Sequence, residues 1–133
     1  MVLLGRVHHV GIACEDIVAT RDWVIRSHDV QRESGVIWDE LQQANLCLLE
    51  VGGIALELVA GPVVAGLLRR GQLLYHVCYE VPELEITLAE LVGDACRIVS
   101  PPKPAVLFDG RRVAFVLGPT GLTELLEQRC GSQ

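Results

Sequence analysis

Residues 6–14 read RVHHVGIAC and residues 73–81 read LLYHVCYEV. Each is a β-rich apolar run with a histidine near its centre, and strict alternation along the first places Val7, His9, Gly11 and Ala13 on one face. Laid on each other, the two runs bring His9 onto His76 and Val10 onto Val77, an offset of 67 residues. The same offset carries Asp16 to Glu83, Ile17 to Leu84, Glu57 to Glu124 and Leu58 to Leu125. A tandem duplication is the reading. The interval from His9 to Glu57 and that from His76 to Glu124 are both 48 residues, which two unrelated core patterns have no reason to share.

Working outward from these strands, Glu15 and Asp16 open a helix with Ile17, Trp23 and Val24 at helical spacing, since acidic residues suit a first turn. A short strand is predicted near Gly35 to Asp39. Ala44 to Val51 and Ile54 to Ala60 form a hairpin around Gly52-Gly53. In the second half Pro82-Glu83 start a helix with Leu84, Leu88 and Leu91 at i, i+4 and i+7. Cys96 to Val99 is a short strand, Pro101 to Pro104 a loop, and Arg112 to Leu117 and Gly121 to Glu127 are strands joined at Gly118-Pro119-Thr120. Each half is thus β-α-β-β-β. The expected fold class is α+β, with two modules, about 6–61 and about 73–128, in a single domain spanning 1–133.

A chain of 133 residues with 50% apolar content can bury a core without staples. Leu46 to Leu68 is hydrophobic enough to raise a membrane span, but Glu50, Glu57 and its glycines speak against one, and two core strands with a short helix are predicted there. The start of the chain shows no secretion signal, so a cytoplasmic location is expected. Cys14, Cys47, Cys78, Cys96 and Cys130 are an odd set without CxxC spacing and read as small core hydrophobes. A net charge of −6 with no basic cluster beyond Arg69-Arg70 and Arg111-Arg112 argues against nucleic acid. Either arginine pair could meet an anionic small molecule. Trp23 and Trp38 read as core or interface residues, and His8 and His28, which lack a partner in the other half, as structural.

His9, Glu57, His76 and Glu124 each stand in a run apolar on both faces: VHHVGIA, IALELVA, LYHVCYE and GLTELLE. A lone carboxylate there loses its hydration, at several kcal/mol or by taking up a proton, unless a cation or strong donors meet it. One divalent ion, Mn, Fe, Co, Ni or Zn, satisfies two imidazoles and two carboxylates and leaves two positions of an octahedron open for substrate oxygens.

The segments HHVGIA, VGGIALELV, PVVAGLLRRGQLLYH and GRRVAFVLGPTGLTELLE resemble the methylmalonyl-CoA epimerase-like proteins of the glyoxalase I, or vicinal oxygen chelate, superfamily, over nearly the whole chain. The resemblance implies two βαβββ modules curled into a mixed-sheet cup around a metal held by His9, Glu57, His76 and Glu124. A homodimer is expected, because relatives pair modules through exposed strand edges. The resemblance also implies a second acid/base glutamate just before the third strand of the first module. Counted back from VGGIALEL that position is Leu41, and a one-residue slip in the loop gives it to Glu40.

Such a site suits proton removal from carbon beside a carbonyl, with Glu124 as one acid/base and Glu40 as candidate for the other. The leading reading is an epimerase or isomerase acting on an acyl-CoA or other acyl thioester, or on a 2-substituted acid. A glyoxalase I-type lactoylglutathione lyase acting on a thiol adduct shares the ligand quartet. A non-catalytic, resistance-type small-molecule binder is the third reading, disfavoured by the complete quartet.

Overall fold

The computed structural model describes residues 4–129. Among them are nine strands and three α-helices, the expected α+β class. The chain forms two compact units, one of residues 9–75 and one of residues 76–129 together with 4–8.

In the first unit, strand β1 (Val7–Ala13) leads into helix α1 (Ile17–Ser27). The helix starts where expected because Asp16 caps it: the backbone N–H of Ala19 donates to its carboxylate at 3.0 Å. Strands β2 (Val30–Glu33), β3 (Ile37–Asp39), β4 (Ala44–Val51) and β5 (Ile54–Ala60) follow, then helix α2 (Ala65–Arg69). The strand order is β2-β4-β5-β1, with β3 also on β4. β1 and β5 run parallel, while β4 and β5 are an antiparallel hairpin with Val51 opposite Ile54. The two residues of that turn, Gly52 and Gly53, have φ of 64° and 94°, a left-handed pair that non-glycine residues rarely adopt. Ile17 and Val24 of α1 pack on Cys47, Leu49 and Leu58, so one face of β4 and β5 is covered by the helix.

The second unit contains β6 (Leu74–Val81), helix α3 (Leu84–Asp94), β7 (Arg97–Pro104), β8 (Arg112–Gly118) and β9 (Gly121–Glu127), in the order β6-β9-β8-β7. Leu84 and Leu88 of α3 pack with Val81, Ala114, Val116 and Leu125, and Leu91 adds to the same cluster. The offset of 67 residues holds for whole elements: α1 and α3 begin at 17 and 84, β5 and β9 at 54 and 121.

Two expectations are corrected. Pro101–Pro104 is not a loop but the second half of β7. Proline is admissible there because β7 ends the strand order of its unit and its register slips between Ile98 and Ser100 and again between Ser100 and Lys103. Conversely, the single short strand expected before β4 is two strands, β2 and β3, both antiparallel to β4 and separated around Gly35, which has φ of 77°. β2 was missed because Gln31, Arg32 and Glu33 are exposed and give no apolar signal.

Trp23 and Trp38 are not core residues; they are 54% and 44% exposed. Cys14, Cys47 and Cys78 are buried as expected, and burial pushes the Cys14 and Cys47 thiols up, away from the reactive thiolate. Cys96 is partly buried, and Cys130 lies outside the described residues. No helix among the described residues is long and apolar enough to cross a membrane.

Arg112 is committed internally. Its guanidinium donates to both oxygens of Glu85, at 2.6 and 3.1 Å, and to both of Glu127, while its backbone N–H donates to Glu127 Oε2 at 2.6 Å. The Arg112 hydrogen bonds hold both carboxyls below their ordinary value of 4.5. Lowered folded-state values mean that the stability they contribute is complete above pH 4.5 and is lost as pH falls through the folded values. Urea midpoints of the parent and of Arg112→Leu are therefore expected to differ at neutral pH and to converge as pH falls below that range; a gap that stays constant would mean the guanidinium stem, not its charge, matters.

Candidate metal centre

His9 lies at the middle of β1 and Glu57 at the middle of β5. The parallel register sets His9 opposite Ala55 and Gly11 opposite Glu57, so both side chains leave the same face of adjacent strands. That face is the one α1 does not cover, since Glu57 is opposite Leu48 while the neighbouring Leu58 and Cys47 belong to the helix-packed cluster. His9 Nε2 stands 3.4 Å from Glu57 Oε1, and the two residues are 0% and 3% exposed.

The second unit repeats the arrangement. His76 on β6 and Glu124 on β9 occupy parallel strands, with Val77 opposite Thr123 and Cys78 opposite Glu124. His76 Nε2 is 2.9 Å from Glu124 Oε1, and the pair is as buried as the first, at 3% and 1% exposed. The Phe115 ring meets the His76 ring edge-on at 5.2 Å and restricts its rotation.

Each unit therefore buries one imidazole nitrogen and one carboxylate oxygen side by side, a donor set suited to a divalent transition ion. Each of the four residues offers one ligand atom, a ring nitrogen or a carboxylate oxygen. Burying a carboxylate against an imidazole alone is a poor use of core volume, because the loss of hydration of two polar groups offsets most of their attraction. A ligand role explains why the same arrangement occurs twice.

The other candidates fall elsewhere. Glu40 is exposed, in the turn joining β3 to β4, and accepts a hydrogen bond from Trp38 Nε1 at 2.6 Å. Leu41 beside it is 57% exposed. Arg111 is tied to Glu80 at 3.0 Å and lies over the Phe108 ring, and Arg112 is held by Glu85 and Glu127, so neither guanidinium waits for an anion. Arg69 and Arg70 are exposed at the end of α2. His8 packs edge-on against Phe108, as its structural reading requires.

One buried carboxylate is not among the expected site residues. Asp39, 3% exposed, accepts the backbone N–H groups of Leu41 and Gln42 at 3.0 and 3.2 Å and the Gln42 side chain at 3.0 Å. The signal was present, since an aspartate followed two and three residues later by turn positions is an Asx turn.

The model of the Glyoxalase/Bleomycin resistance protein/Dioxygenase superfamily matches residues 8–115, and the chain belongs to that superfamily. Among solved structures it is similar to the methylmalonyl-CoA epimerase of Mycobacterium tuberculosis, at 20% identity over 94% of this chain and 89% of that one, with a TM-score of 0.78. It is similar also to a glutamate-to-leucine variant of the Streptomyces coelicolor methylmalonyl-CoA epimerase in complex with 2-nitronate-propionyl-CoA, at 21% identity over 98% and 99% of the two chains and a TM-score of 0.78. A hypothetical protein of Bacillus halodurans aligns at 21% identity over 96% and 97%, with a TM-score of 0.75. No curated protein matches the chain. At these identities the structures establish a shared fold.

Proposed function

We propose that this protein is a metal-dependent isomerase of the epimerase type, removing and returning a proton on carbon α to a carbonyl, with an acyl-CoA or related acyl thioester as substrate. The observation that carries the reading is the duplicated buried pair: His9 with Glu57 and His76 with Glu124, each on the middle of two parallel strands. The four side chains are assigned to one divalent ion, Co, Ni, Mn, Fe or Zn, because neither pair alone supplies enough ligands to hold one. When bound, such an ion supplies positive charge to a carbonyl oxygen and acidifies the neighbouring carbon. Glu124 takes the proton from that carbon on a carboxylate oxygen and gives it back, and the apolar surroundings keep bulk water from competing.

Glu40 is assigned as the second acid/base. Its support is an interval: the glutamate and the glutamine replaced in two Streptomyces coelicolor epimerase structures are 17 residues apart, as are Glu40 and Glu57. The acyl-CoA assignment draws on neighbours whose complexes contain 2-nitronate-propionyl-CoA or methylmalonyl-CoA. We assign the protein to the cytoplasm as a homodimer.

One observation favours a second reading. The residue in the Glu57 position is a carboxylate, where the Streptomyces coelicolor epimerase has a glutamine by the same interval. A glyoxalase-type lyase acting on a glutathione hemithioacetal would use the same quartet. The test is incubation of metal-loaded protein in deuterated water with methylmalonyl-CoA and other 2-substituted acyl thioesters, read by mass spectrometry. Metal-dependent uptake of one deuterium at the α carbon supports the epimerase reading; turnover of the hemithioacetal with no uptake moves the protein to the lyase; tight binding of some other small molecule with neither leaves a binding protein.

A further inference from the structure

Lys103 is the only lysine in the sequence and stands in β7, the strand that ends the order of the second unit, within the run PPKP. β7 pairs Ser100 with Phe115 and Lys103 with Val113, so three steps along β7 match two along β8. Directly opposed residues share a face, and so do residues two apart on one strand. Phe115 is opposite Glu124 on β9, while Ala114, Val116 and Leu125 belong to the cluster beneath α3. Val113, Phe115 and Glu124 therefore share the face that α3 does not cover. Strict alternation from Ser100 would turn residue 103 away from that face; the extra residue in β7 turns Lys103 back onto it. Such a bulge gives up ladder pairing and serves to re-aim a side chain.

Lys103 is half-buried and has no ion-pair partner among the described residues. The carboxylates that β6 and β9 place on that face are engaged elsewhere: Glu124 lies beside His76 at 2.9 Å, and Glu80, opposite Leu126, holds Arg6 and Arg111 at 3.3 and 3.0 Å. Along the register of Lys103 come Val113 and Leu126, both buried, so its stem crosses an apolar floor where charges attract more strongly than in water. Guarding the sheet edge does not require it, because Pro101, Pro102 and Pro104 already withdraw their N–H groups from that edge. Strands lie about 4.8 Å apart and rise about 3.4 Å per residue, so Lys103 and Glu124, two strands and two residues apart, rise from one surface about 12 Å apart, with room for a small acyl group between their ends.

We propose that Lys103 binds a free carboxylate of the substrate, so that the protein selects acyl thioesters carrying a carboxylate on the α carbon over neutral ones. The inference rests on the proposed isomerase reading, with Glu124 as acid/base. An acid entering a face that already holds Glu80 and Glu124 meets like charge, and Lys103 is the cation on β7 that no carboxylate of the described residues has claimed. Its ammonium donates to the substrate carboxylate at the β7 side of the face and sets the α carbon toward β9, where Glu124 stands. No proton passes through Lys103.

The experiment compares the parent with Lys103→Met, which removes the ammonium and keeps most of the stem, in deuterium exchange of methylmalonyl-CoA and of 2-methylacetoacetyl-CoA, where an acetyl group replaces the carboxylate. Lys103→Met is expected to raise KM for methylmalonyl-CoA about 10- to 100-fold, the range for a hydrogen bond to a charged group, with kcat little changed. KM for the neutral thioester should stay in place, and Lys103→Arg should recover most of the loss. The same rise is expected with methylmalonyl-pantetheine, which lacks the nucleotide phosphates; a rise that vanishes there would mean that Lys103 meets a phosphate, and overturns the carboxylate assignment. An unchanged KM, or an equal rise for charged and neutral thioesters, overturns it as well. A second readout needs no turnover. Reductive methylation with isotopically labelled formaldehyde keeps the charge and marks Lys103 as the single side-chain amine, assigned by its absence from Lys103→Met. Its resonance is expected to shift with methylmalonyl-CoA and not with isobutyryl-CoA, which has a methyl group for the carboxylate; movement with both or with neither overturns the inference. If the parent exchanges no thioester at all, the isomerase reading falls, and the resonance decides the inference by itself.

Discussion

Glu124→Gln is expected to fold and to lose α-proton exchange by roughly 10²–10⁴-fold, the contribution of a positioned acid/base group. The carboxamide has the shape of the carboxylate, and its oxygen can still take the place of Oε1 beside His76 Nε2, 2.9 Å away in the parent. On the proposed mechanism the substitution removes the charge that takes up the proton, and with it the means of breaking the C–H bond. Deuterium uptake at saturating substrate and metal is the measurement, with a thermal melt as the check on folding. A decline of less than about tenfold in a folded, metal-replete variant would mean that another group is the base.

Loss of the metal itself should be still more evident in His9→Ala. Removing an outer-shell partner of a metal ligand lowers affinity by roughly 10–100-fold, so deleting an inner ligand is expected to exceed about 100-fold. His9 is fully buried, and alanine leaves the buried Glu57 without its imidazole neighbour at 3.4 Å, so some destabilisation accompanies the loss. Elemental analysis after reconstitution should give close to one equivalent for the parent and little for the variant. The His76→Ala variant should behave in the same way, and this symmetry separates one shared centre from two independent ones: with independent sites each substitution would leave half of the metal in place. Stripping the ion with a chelator is expected to leave the fold standing, because each imbedded carboxylate retains its imidazole neighbour.

The sequence made the two buried pairs legible because buried polar residues are rare enough that a repeated interval between them carries information. The burial of His9, Glu57, His76 and Glu124 followed from spacing and apolar context, and the helix starts at Ile17 and Leu84 from Glu15-Asp16 and Pro82-Glu83 before them. What escaped notice lies at the margins of each unit. β2 is exposed and so lacks alternation, β7 carries prolines that read as a loop, and Trp38, read as core or interface, is 44% exposed and so not core. The arginines were ambiguous for a different reason: whether Arg112 meets a ligand or Glu85 and Glu127 depends on which strands and helices adjoin it, which no local pattern encodes. Glu40 shows the same limit. Its position in the chain could be counted, but its hydrogen bond from the Trp38 indole two residues away could not be foreseen.

The two copies of the repeat differ most where residues 30–39 form two strands hinged at Gly35 and residues 97–104 form one slipped strand. β5 and β9 keep their offset to the residue, while the outermost stretch is divided in one copy and continuous in the other. A duplicated gene is free to experiment in this way: the periphery can be rebuilt in a single copy without disturbing the ligand spacing that both must keep. The divided version ends in the Asp39–Gln43 turn, so the half with two short strands is the one that carries an extra buried carboxylate beside its ligand pair.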